Sequence, residues 1–256
     1  MLGGDWDLGN SPEATCFILG GCYLPSNHVV IPPYIGSMEE IFDARVHFGI
    51  EKEIVELRDK VGHPYRNRTK RKTLLHFRGT VLDHKFYSIC QERQIYRDIY
   101  GKLGYFQGWN LLYEEKMVDM KAYLKELAES IFCFAPSGWA GWSPRFVQAM
   151  IMGCVPVFVS CEKRVVTERP FQGHFDYNEF SVSISINTLK NGRLLHVLHN
   201  LISEMPEDLV KKLDRISEVW KAFVITPQGG EAFHLLLQDI RTKLDGLRKY
   251  RMNVDL

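Results

Sequence analysis

Residues 130–162, SIFCFAPSGWAGWSPRFVQAMIMGCVPVFVSCE, constrain the fold more than any other stretch of this chain. The short apolar run 131–135 predicts a strand, and Pro136 follows it directly. Ser143 is suited to cap a helix that spans residues 145–152 and ends at Gly153. The β-branched run 155–160 is typical of a strand buried in a parallel sheet. The pattern strand, loop, helix, strand predicts an α/β fold with a Rossmann-like parallel sheet.

The loop between the first strand and the helix is a candidate anion site. Ser137 and Gly138 begin it, and small residues keep it slim, so that its backbone can approach a ligand. Unpaired amides at a helix N-terminus attract negative charge, and Arg145 adds a cation that can grip a phosphate with two bonds. The alternative is a loop that binds nothing, with Arg145 in a surface ion pair.

Composition excludes several classes of protein. The chain has 256 residues, 45% of them hydrophobic, which is enough for a sizeable core. Its 32 basic and 31 acidic residues nearly cancel, so no nucleic-acid partner is expected. The longest apolar stretch, residues 149–159, is broken by Gly153 and Pro156 and is too short for a membrane span.

Six cysteines fit no zinc spacing, so no metal site is expected. Cys133 and Cys154 fall in or beside buried strands and are interpreted as small core residues. Cys16 and Cys22 lie in a Gly-rich stretch, and the sequence leaves their pairing open.

A second strand over residues 73–77 is followed by the turn Arg78-Gly79. Ligands of α/β sheets bind beyond the carboxyl ends of the strands, so this turn is expected to face the crevice of Ser137 and Arg145. Arg78 either helps to neutralise a diphosphate or forms an ordinary salt bridge.

Two further expectations concern charged and apolar faces. The basic cluster that includes Lys70, Arg71 and Lys72 is expected to be a solvated edge. A final helix over residues 231–247 is expected to face inward with its large apolar residues. These are Phe233, Leu236, Leu237 and Ile240.

Several of these segments resemble the exostosin-like glycosyltransferases, family 47. The resemblance covers roughly residues 5–245, and the stretch GWAGWSPR over residues 138–145 is most similar to the plant xylan xylosyltransferase branch. Its motifs are Asp7-Leu-Gly9, Val30-Ile-Pro-Pro33, Leu75-His-Phe-Arg-Gly79, Phe132-Cys-Phe-Ala-Pro-Ser-Gly138, Ser143-Pro-Arg145, Gly153-Cys-Val-Pro-Val157, Phe180-Ser-Val182 and Pro227-Gln-Gly-Gly-Glu-Ala-Phe-His234.

The resemblance implies the C-terminal, nucleotide-sugar-binding half of a GT-B enzyme that transfers a sugar from a UDP-sugar with inversion. Residues 1–68 would then be a remnant of the acceptor domain with a connection, and residues 69–256 the donor-binding domain with C-terminal helices. UDP-sugar is a substrate, and no cofactor or metal is implied. The implied donor-binding residues are Arg78, Gly79, Ser137, Gly138, Ser143, Arg145 and Gln148, where Gln148 stands in place of the family's ribose-binding Glu.

Asp7 occupies an acidic position of the family and is the candidate general base, or else it caps a turn. The family implies a glycan acceptor and the lumenal face of the Golgi membrane, reached through an anchor absent from this chain. A hetero-complex with a paralogue is a further partner consistent with the family resemblance. The chain is interpreted as truncated and is therefore expected to transfer no sugar alone. The alternative function is that of a non-catalytic Golgi partner that retains the fold.

Overall fold

The computed structural model describes residues 15–17, 21–23, 29–32, 35, 38–59, 70–81, 91–137, 143–160, 169–225 and 230–254. In these residues the helices are α1 (Met38–His47), α2 (Ile50–Asp59), α3 (Glu92–Tyr100), α4 (Met120–Ala128), α5 (Arg145–Ile151), α6 (Ile186–Lys190), α7 (Leu194–Ser203), α8 (Pro206–Val219) and α9 (Ala232–Val254). The strands are β1 (Thr15–Phe17), β2 (Gly21–Tyr23), β3 (Thr73–Arg78), β4 (Tyr105–Phe106), β5 (Trp109–Glu114), β6 (Ser130–Phe134), β7 (Val155–Ser160) and β8 (Val182–Ser185).

The described part of the chain contains a sheet of six strands in the order β4-β5-β3-β6-β7-β8. All neighbouring pairs are parallel except β4 with β5. The predicted α/β class with a Rossmann-like, mostly parallel sheet is therefore confirmed. Because parallel crossovers are right-handed, the change of direction after β5 places α3 on one face and α4 and α5 on the other. The contacts agree, since α3 touches α6 whereas α4 touches α5.

The core consists of the strand runs that the sequence predicted. Every residue of β6 is buried, and β3 and β7 are buried over most of their lengths. Apolar residues alternate with serines over residues 180–186, a pattern that predicts a half-buried or edge strand. Phe180, Val182 and Ile184 are buried. The strand ends at Ser185, because Ser185 caps α6 by accepting a hydrogen bond from the Thr188 amide.

Cys133 and Cys154 form a disulfide, which corrects the interpretation of both as unbonded core residues. Both are buried, as expected, and the bond joins β6 to the residue before β7 across 21 positions of sequence. Between β1 and β2, Cys16 and Cys22 are backbone partners in an antiparallel pair.

Arg71 is buried, 2% exposed, so the expectation of a solvated edge is wrong for this residue. Its Nε and Nη2 donate to the two carboxylate oxygens of Glu53 on α2, at 2.8 and 3.0 Å. The same guanidinium donates to the carbonyls of Ser130, at 2.5 Å, and Met152, at 3.0 Å. Arg71 thus connects α2, the start of β6 and the end of α5.

Arg45 makes a similar set of contacts beside it. This residue of α1 is 3% exposed, and its Nε donates to Glu51 at 3.0 Å. Its Nη1 donates to the carbonyls of Met150 and Ile151 at the end of α5. Arg45 and Arg71 therefore donate hydrogen bonds to the carbonyls at the end of α5, which have no partner within the helix. The helix dipole also favours positive charge at this end.

The final helix, α9, corrects a second expectation. Phe233, Leu237 and Ile240 were expected to face inward, but they are 57%, 49% and 39% exposed. Leu236 packs against the core, as predicted, and Leu235, which was not predicted to do so, packs there too. Helical periodicity located the apolar residues but not the side of the helix that packs.

Replacing Glu53 by alanine is expected to lower the free energy of unfolding by about 3–5 kcal/mol, because it leaves the Arg71 charge buried without its carboxylate. Urea denaturation monitored by circular dichroism measures the loss. Lys52→Ala is the control, since that neighbouring side chain is 83% exposed and its replacement should cost at most about 0.5 kcal/mol. Equal losses in the two variants would contradict the role given to the Arg71–Glu53 pair.

Candidate functional site

The candidate site lies at the carboxyl ends of β3 and β6. The chain runs from β3 to β5 on one side and then returns to β6 on the other side of β3. This reversal is a topological switch point, and ligands of open α/β sheets bind in the crevice at such a point. Arg78 and Gly79 end β3, while Ser137 follows β6, so the sheet brings these predicted residues to one edge.

Arg145, the first residue of α5, folds back over the end of β3. Its Nε donates to the carbonyl of Arg78 at 2.9 Å, and its Nη1 donates to Ser143 Oγ at 3.0 Å. Its guanidinium carbon lies 5.5 Å from the centre of the Phe77 ring. In the described part of the chain, Arg145 has neutral hydrogen-bond acceptors but no carboxylate partner.

Gly79 allows this close approach. A Cβ atom added at Gly79 would lie 2.0 Å from Nη2 and 2.8 Å from Cζ of Arg145. Any larger residue at this position must therefore displace the guanidinium.

Arg78 is paired with a carboxylate, in contrast to Arg145. Its Nε and Nη2 donate to the two oxygens of Glu126 on α4 at 2.8 and 2.7 Å, and Nη1 donates to the carbonyl of Lys116. His76 Nε2 lies 3.0 Å from Glu126 Oε2. Because a carboxylate only accepts, this nitrogen carries the proton. The structure therefore shows the salt bridge that the sequence left as one of two roles for Arg78.

The pKa values of this cluster follow from burial and pairing. Burial alone would raise the pKa of Glu126, but hydrogen bonds from His76 and Arg78 outweigh it and lower the pKa to about 2. Burial lowers the pKa of His76, against the raising effect of Glu126. At neutral pH the cluster is thus a neutral imidazole between a carboxylate and a guanidinium.

Ser137 is held by the start of α3. Its amide donates to Glu92 Oε1 at 2.9 Å, and its hydroxyl donates to the same oxygen. The Arg93 side chain donates to the carbonyl of Ser137 at 3.0 Å and to that of Thr80 at 3.2 Å. These contacts fix the loop after β6 against the loop after β3.

The first turn of α5 offers fewer open amides than the sequence suggested. The helix begins at Arg145, as predicted, but Pro144 rather than Ser143 occupies the capping position, and no side chain caps the helix. The amides of Phe146 and Val147 donate to the carbonyls of Ser143 and Pro144 at 3.3 and 3.1 Å. Side chains, rather than helix amides, are therefore the groups that this turn presents to a ligand.

A pocket of about 260 Å³ is lined by three of the predicted site residues, Arg78, Arg145 and Gln148, whereas Gly79, Ser137 and Ser143 are not part of its described lining. The Tyr123 hydroxyl contacts Gln148 Oε1 at 3.4 Å on one wall. Burial raises the pKa of Tyr123 to about 12, so the hydroxyl keeps its proton at neutral pH. The lining combines two cations, two neutral polar groups and apolar side chains from the segment before α4. It consists of Arg78, Met117, Val118, Met120, Tyr123, Pro144, Arg145 and Gln148.

Two predicted site residues, Asp7 and Gly138, lie outside the described residues. Within the described ranges, no group of three His, Cys, Asp or Glu residues is placed to hold a metal ion. Among the same residues, no helix is long and apolar enough to cross a membrane.

Sequence reasoning missed Glu126, His76 and Tyr123 as parts of this site. Glu126 and Tyr123 lie on α4, whose sequence predicts a helix that leads into residues 130–162 but no site residue. His76 was named only as one letter of a motif. The usable signal was its position two residues before Arg78 in β3, which places both side chains on the same face of the strand.

The described chain is thus an α/β protein with a basic pocket at the switch point of its sheet, the place where open α/β sheets bind their ligands. The sequence profile of the exostosin GT47 domain matches residues 21–201 of this chain. The chain therefore belongs to the exostosin GT47 family.

The curated relatives are named as plant glycosyltransferases. "Probable glucuronoxylan glucuronosyltransferase IRX7" of Arabidopsis thaliana is 26% identical over 226 residues, covering 85% of this chain and 43% of that protein. "Probable beta-1,4-xylosyltransferase IRX10" of the same plant is 27% identical over 140 residues, covering 53% of this chain and 32% of that protein. This chain thus spans less than half the length of these two relatives.

A solved structure, an alpha,alpha-trehalose-phosphate synthase (UDP-forming) from Burkholderia vietnamiensis, is similar at a TM-score of 0.41 and 10% identity. The match covers 89% of this chain and 52% of that one.

Glu126→Gln is expected to show a pH-dependent loss of stability. A depressed carboxyl pKa stabilises the fold above the unfolded-state value near 4.5, and this contribution is lost as the pH falls towards 2. The gap in unfolding free energy between wild type and variant should therefore be largest near pH 7, on the order of 1–2 kcal/mol, because solvent reaches part of this carboxylate and screens its ion pair.

Urea denaturation at pH steps from 7 down to 3 measures this gap. It should narrow below about pH 4.5, because there Glu126 of the unfolded wild-type chain takes up a proton while the native carboxylate stays ionised. A gap of constant size would contradict the low pKa of Glu126. Glu129→Gln, an exposed carboxylate three residues further on, is the control and should show no comparable trend.

Proposed function

We propose that this chain supplies the nucleotide-sugar-binding half of a GT47 glycosyltransferase, which transfers a sugar from a UDP-sugar to a glycan acceptor with inversion. The observation that carries the proposal is the placement of Arg145 in the switch-point pocket. Its charge is not neutralised by any carboxylate of the described residues, whereas Arg78 beside it is neutralised by Glu126.

The charge of Arg145 supports an anionic ligand. Among the described residues that line the pocket, Arg78 is balanced by Glu126, whereas Arg145 keeps its positive charge at the carboxyl end of β3. A diphosphate carries the opposite charge, and a guanidinium binds it with charge-assisted, forked hydrogen bonds. The apolar side chains of the segment 117–120 on the same pocket supply a surface suited to a flat nucleobase.

The proposed reaction is a single displacement at the anomeric carbon of the donor sugar. An acceptor hydroxyl oxygen attacks the anomeric carbon, the bond from that carbon to the diphosphate oxygen breaks, and UDP leaves with the electron pair. A carboxylate base takes the hydroxyl proton, and Asp7 remains the candidate for it. Arg145 stabilises the negative charge that develops on the departing diphosphate.

The compartment and partners belong to the same proposal. A disulfide between Cys133 and Cys154 favours an oxidising compartment, in line with the lumen of the Golgi. A glycan acceptor and a second, acceptor-binding half complete the proposed enzyme, since the curated relatives are more than twice as long as the matched part of this chain.

Arg145→Ala is expected to weaken UDP binding by about one to two decades. A hydrogen bond to a charged group contributes about 1.5–3 kcal/mol, and each decade of affinity corresponds to about 1.4 kcal/mol. Arg145→Lys should recover only part of the loss, because an ammonium cannot form the forked contact.

Calorimetric titration of UDP into the 256-residue chain measures these changes. Arg58→Ala is the matched control, because Arg58 is an exposed arginine on α2 that does not line the pocket. Equal UDP affinity in wild type, Arg145→Ala and Arg145→Lys would place the diphosphate elsewhere and remove the main support for this function.

Gly79→Ala tests the position of Arg145 independently. The added methyl group must push the guanidinium aside, so UDP affinity should fall by about tenfold while Arg145 itself is retained. In the Arg145→Ala background the same change should have little further effect, since coupled residues are not additive. An equal tenfold loss in both backgrounds would show that Gly79 acts on UDP binding by another route.

A further inference from the structure

Arg169, a half-buried residue between β7 and β8, stacks on two aromatic rings. Its guanidinium carbon lies 3.9 Å from the centre of the Phe158 ring and 5.2 Å from the centre of the Tyr177 ring. The backbone amide of Arg169 donates to Gln172 Oε1 at 3.0 Å. In the described part of the chain, however, its guanidinium meets no carboxylate and no hydrogen-bond acceptor. Its positive charge is therefore not balanced by these residues.

The aromatic contacts hold the guanidinium of Arg169 without using its N–H groups. Burial lowers the pKa of Arg169, because the charged group has lost part of its hydration. Arg45 also lies over a ring, 4.6 Å from the centre of Trp220, but it is paired with Glu51 as well. A guanidinium that stacks by its face keeps five N–H donors along its edge. Arg169 thus has donors for an acceptor that comes from outside the described chain.

The residues around Arg169 form a pocket of about 430 Å³, within the range of about 300–1,000 Å³ that is usual for small-molecule sites. We call it the Arg169 pocket. Among the described residues, it shares none with the switch-point pocket. Most of its lining is polar, and it consists of Arg169, Gln172, Gly173, His174, Phe175, Asp176, Tyr177 and Asn178.

The charges of the Arg169 pocket favour an anion with a single charge. Asp176 also lines the pocket, and its Oδ1 accepts a hydrogen bond from the Asn178 amide at 2.9 Å. A second carboxylate, Asp239, lies 2.7 Å from His174 Nε2 and is not part of the described lining. A phosphate with two charges would meet repulsion from Asp176, whereas one carboxylate matches the one fork of Arg169.

The neutral polar residues of the pocket favour a ligand that also carries hydroxyl groups. The side-chain amides of Gln172 and Asn178 can each donate and accept, which is what a hydroxyl group requires of its partners. We propose that the Arg169 pocket binds a sugar that bears a carboxylate, with the carboxylate on the edge of the Arg169 guanidinium. This proposal does not depend on the nucleotide-sugar function, because the two pockets share no described residue.

Three small molecules serve as probes for this pocket. D-Glucuronate carries the carboxylate, D-glucose has the same ring without it, and D-glucose 1-phosphate carries a phosphate instead. Each is titrated into the full 256-residue chain, and binding is measured by NMR. Glucuronate should bind at least about tenfold more tightly than glucose, because only its carboxylate forms charge-assisted hydrogen bonds with Arg169.

Substitution of Arg169 locates the binding. Arg169→Met keeps an unbranched stem over the two rings and removes the charge. It should weaken glucuronate binding at least about tenfold and change the affinity for glucose and for glucose 1-phosphate by less than about twofold. Arg169→Lys should recover part of the glucuronate affinity, because an ammonium lacks the forked geometry. The thermal midpoint of Arg169→Met should not fall, since a partly buried charge without a counterion does not stabilise the fold.

Two controls separate this pocket from other cations. Arg58→Met removes an arginine that is 54% exposed and outside the pocket, so it should leave the glucuronate affinity unchanged. Arg145→Ala should change that affinity by less than about twofold, because Arg145 belongs to the switch-point pocket.

Asp176→Asn tests the charge argument from the other side. The amide oxygen of the new side chain can still accept from the Asn178 amide, but the negative charge is gone. Glucuronate should then bind about threefold more tightly, and glucose 1-phosphate should gain affinity that Arg169→Met removes.

Four results would overturn the proposal. Equal affinity for glucuronate and glucose, or no binding of either, would show that the carboxylate is not recognised. A glucuronate affinity that Arg169→Met leaves unchanged but Arg145→Ala lowers would place the carboxylate in the switch-point pocket. A loss of glucose 1-phosphate binding in Arg169→Met as large as that of glucuronate would assign the pocket to phosphates. A lower thermal midpoint of Arg169→Met with unchanged binding would make Arg169 a packing residue.

Discussion

The geometry of the site depends on two buried arginines that lie at the opposite end of α5 from it. Arg71 and Arg45 donate to the carbonyls of Met150, Ile151 and Met152, and each is balanced by a carboxylate on α2. Helix α5 has only seven residues, and a helix this short is not stable by propensity alone. Its orientation therefore comes from tertiary contacts, and these same contacts orient Arg145 at its other end. Gly153 is part of the constraint, since it has a φ of 65° and a Cβ there would lie 2.9 Å from Arg71 Nη2.

The parts of the fold that the sequence predicted are those set by neighbouring residues. The apolar runs of β6 and β7 are local patterns, and burial follows directly from them. The burial of Arg71 could not be inferred in this way, because its partners Glu53 and Met152 lie 18 and 81 positions away. A run of basic residues is usually solvated, and only the fold shows which member of it meets a carboxylate. The disulfide was missed for a related reason, since the pairing of cysteines is set by which strands become neighbours.

In the candidate site, too, the sequence could predict which residues come together but not which charges are paired. Arg78, Ser137 and Arg145 could be predicted to meet, because parallel strands end at one edge of a sheet. The sequence could not decide whether each arginine was free or paired, since Glu126 reaches Arg78 from α4, 48 positions further along the chain. Helix α9 shows a similar limit for apolar residues. It has apolar side chains on two sides, and its sequence alone does not specify which side packs against the core.

The arginines of the core and of the pocket differ in function because they differ in counterion, although the side chain is the same. Arg45, Arg71 and Arg78 each meet a carboxylate of this chain, so their positive charge is satisfied within the fold. Arg145 is held by a carbonyl, a hydroxyl and the face of an aromatic ring. Neutral acceptors fix the direction of a guanidinium without cancelling its charge, and they leave the remaining N–H groups for a ligand. An anion bound in the pocket would give Arg145 the negatively charged partner that the other three arginines have within the protein. Because Arg78 is already paired with Glu126, the pocket does not hold two unbalanced cations side by side.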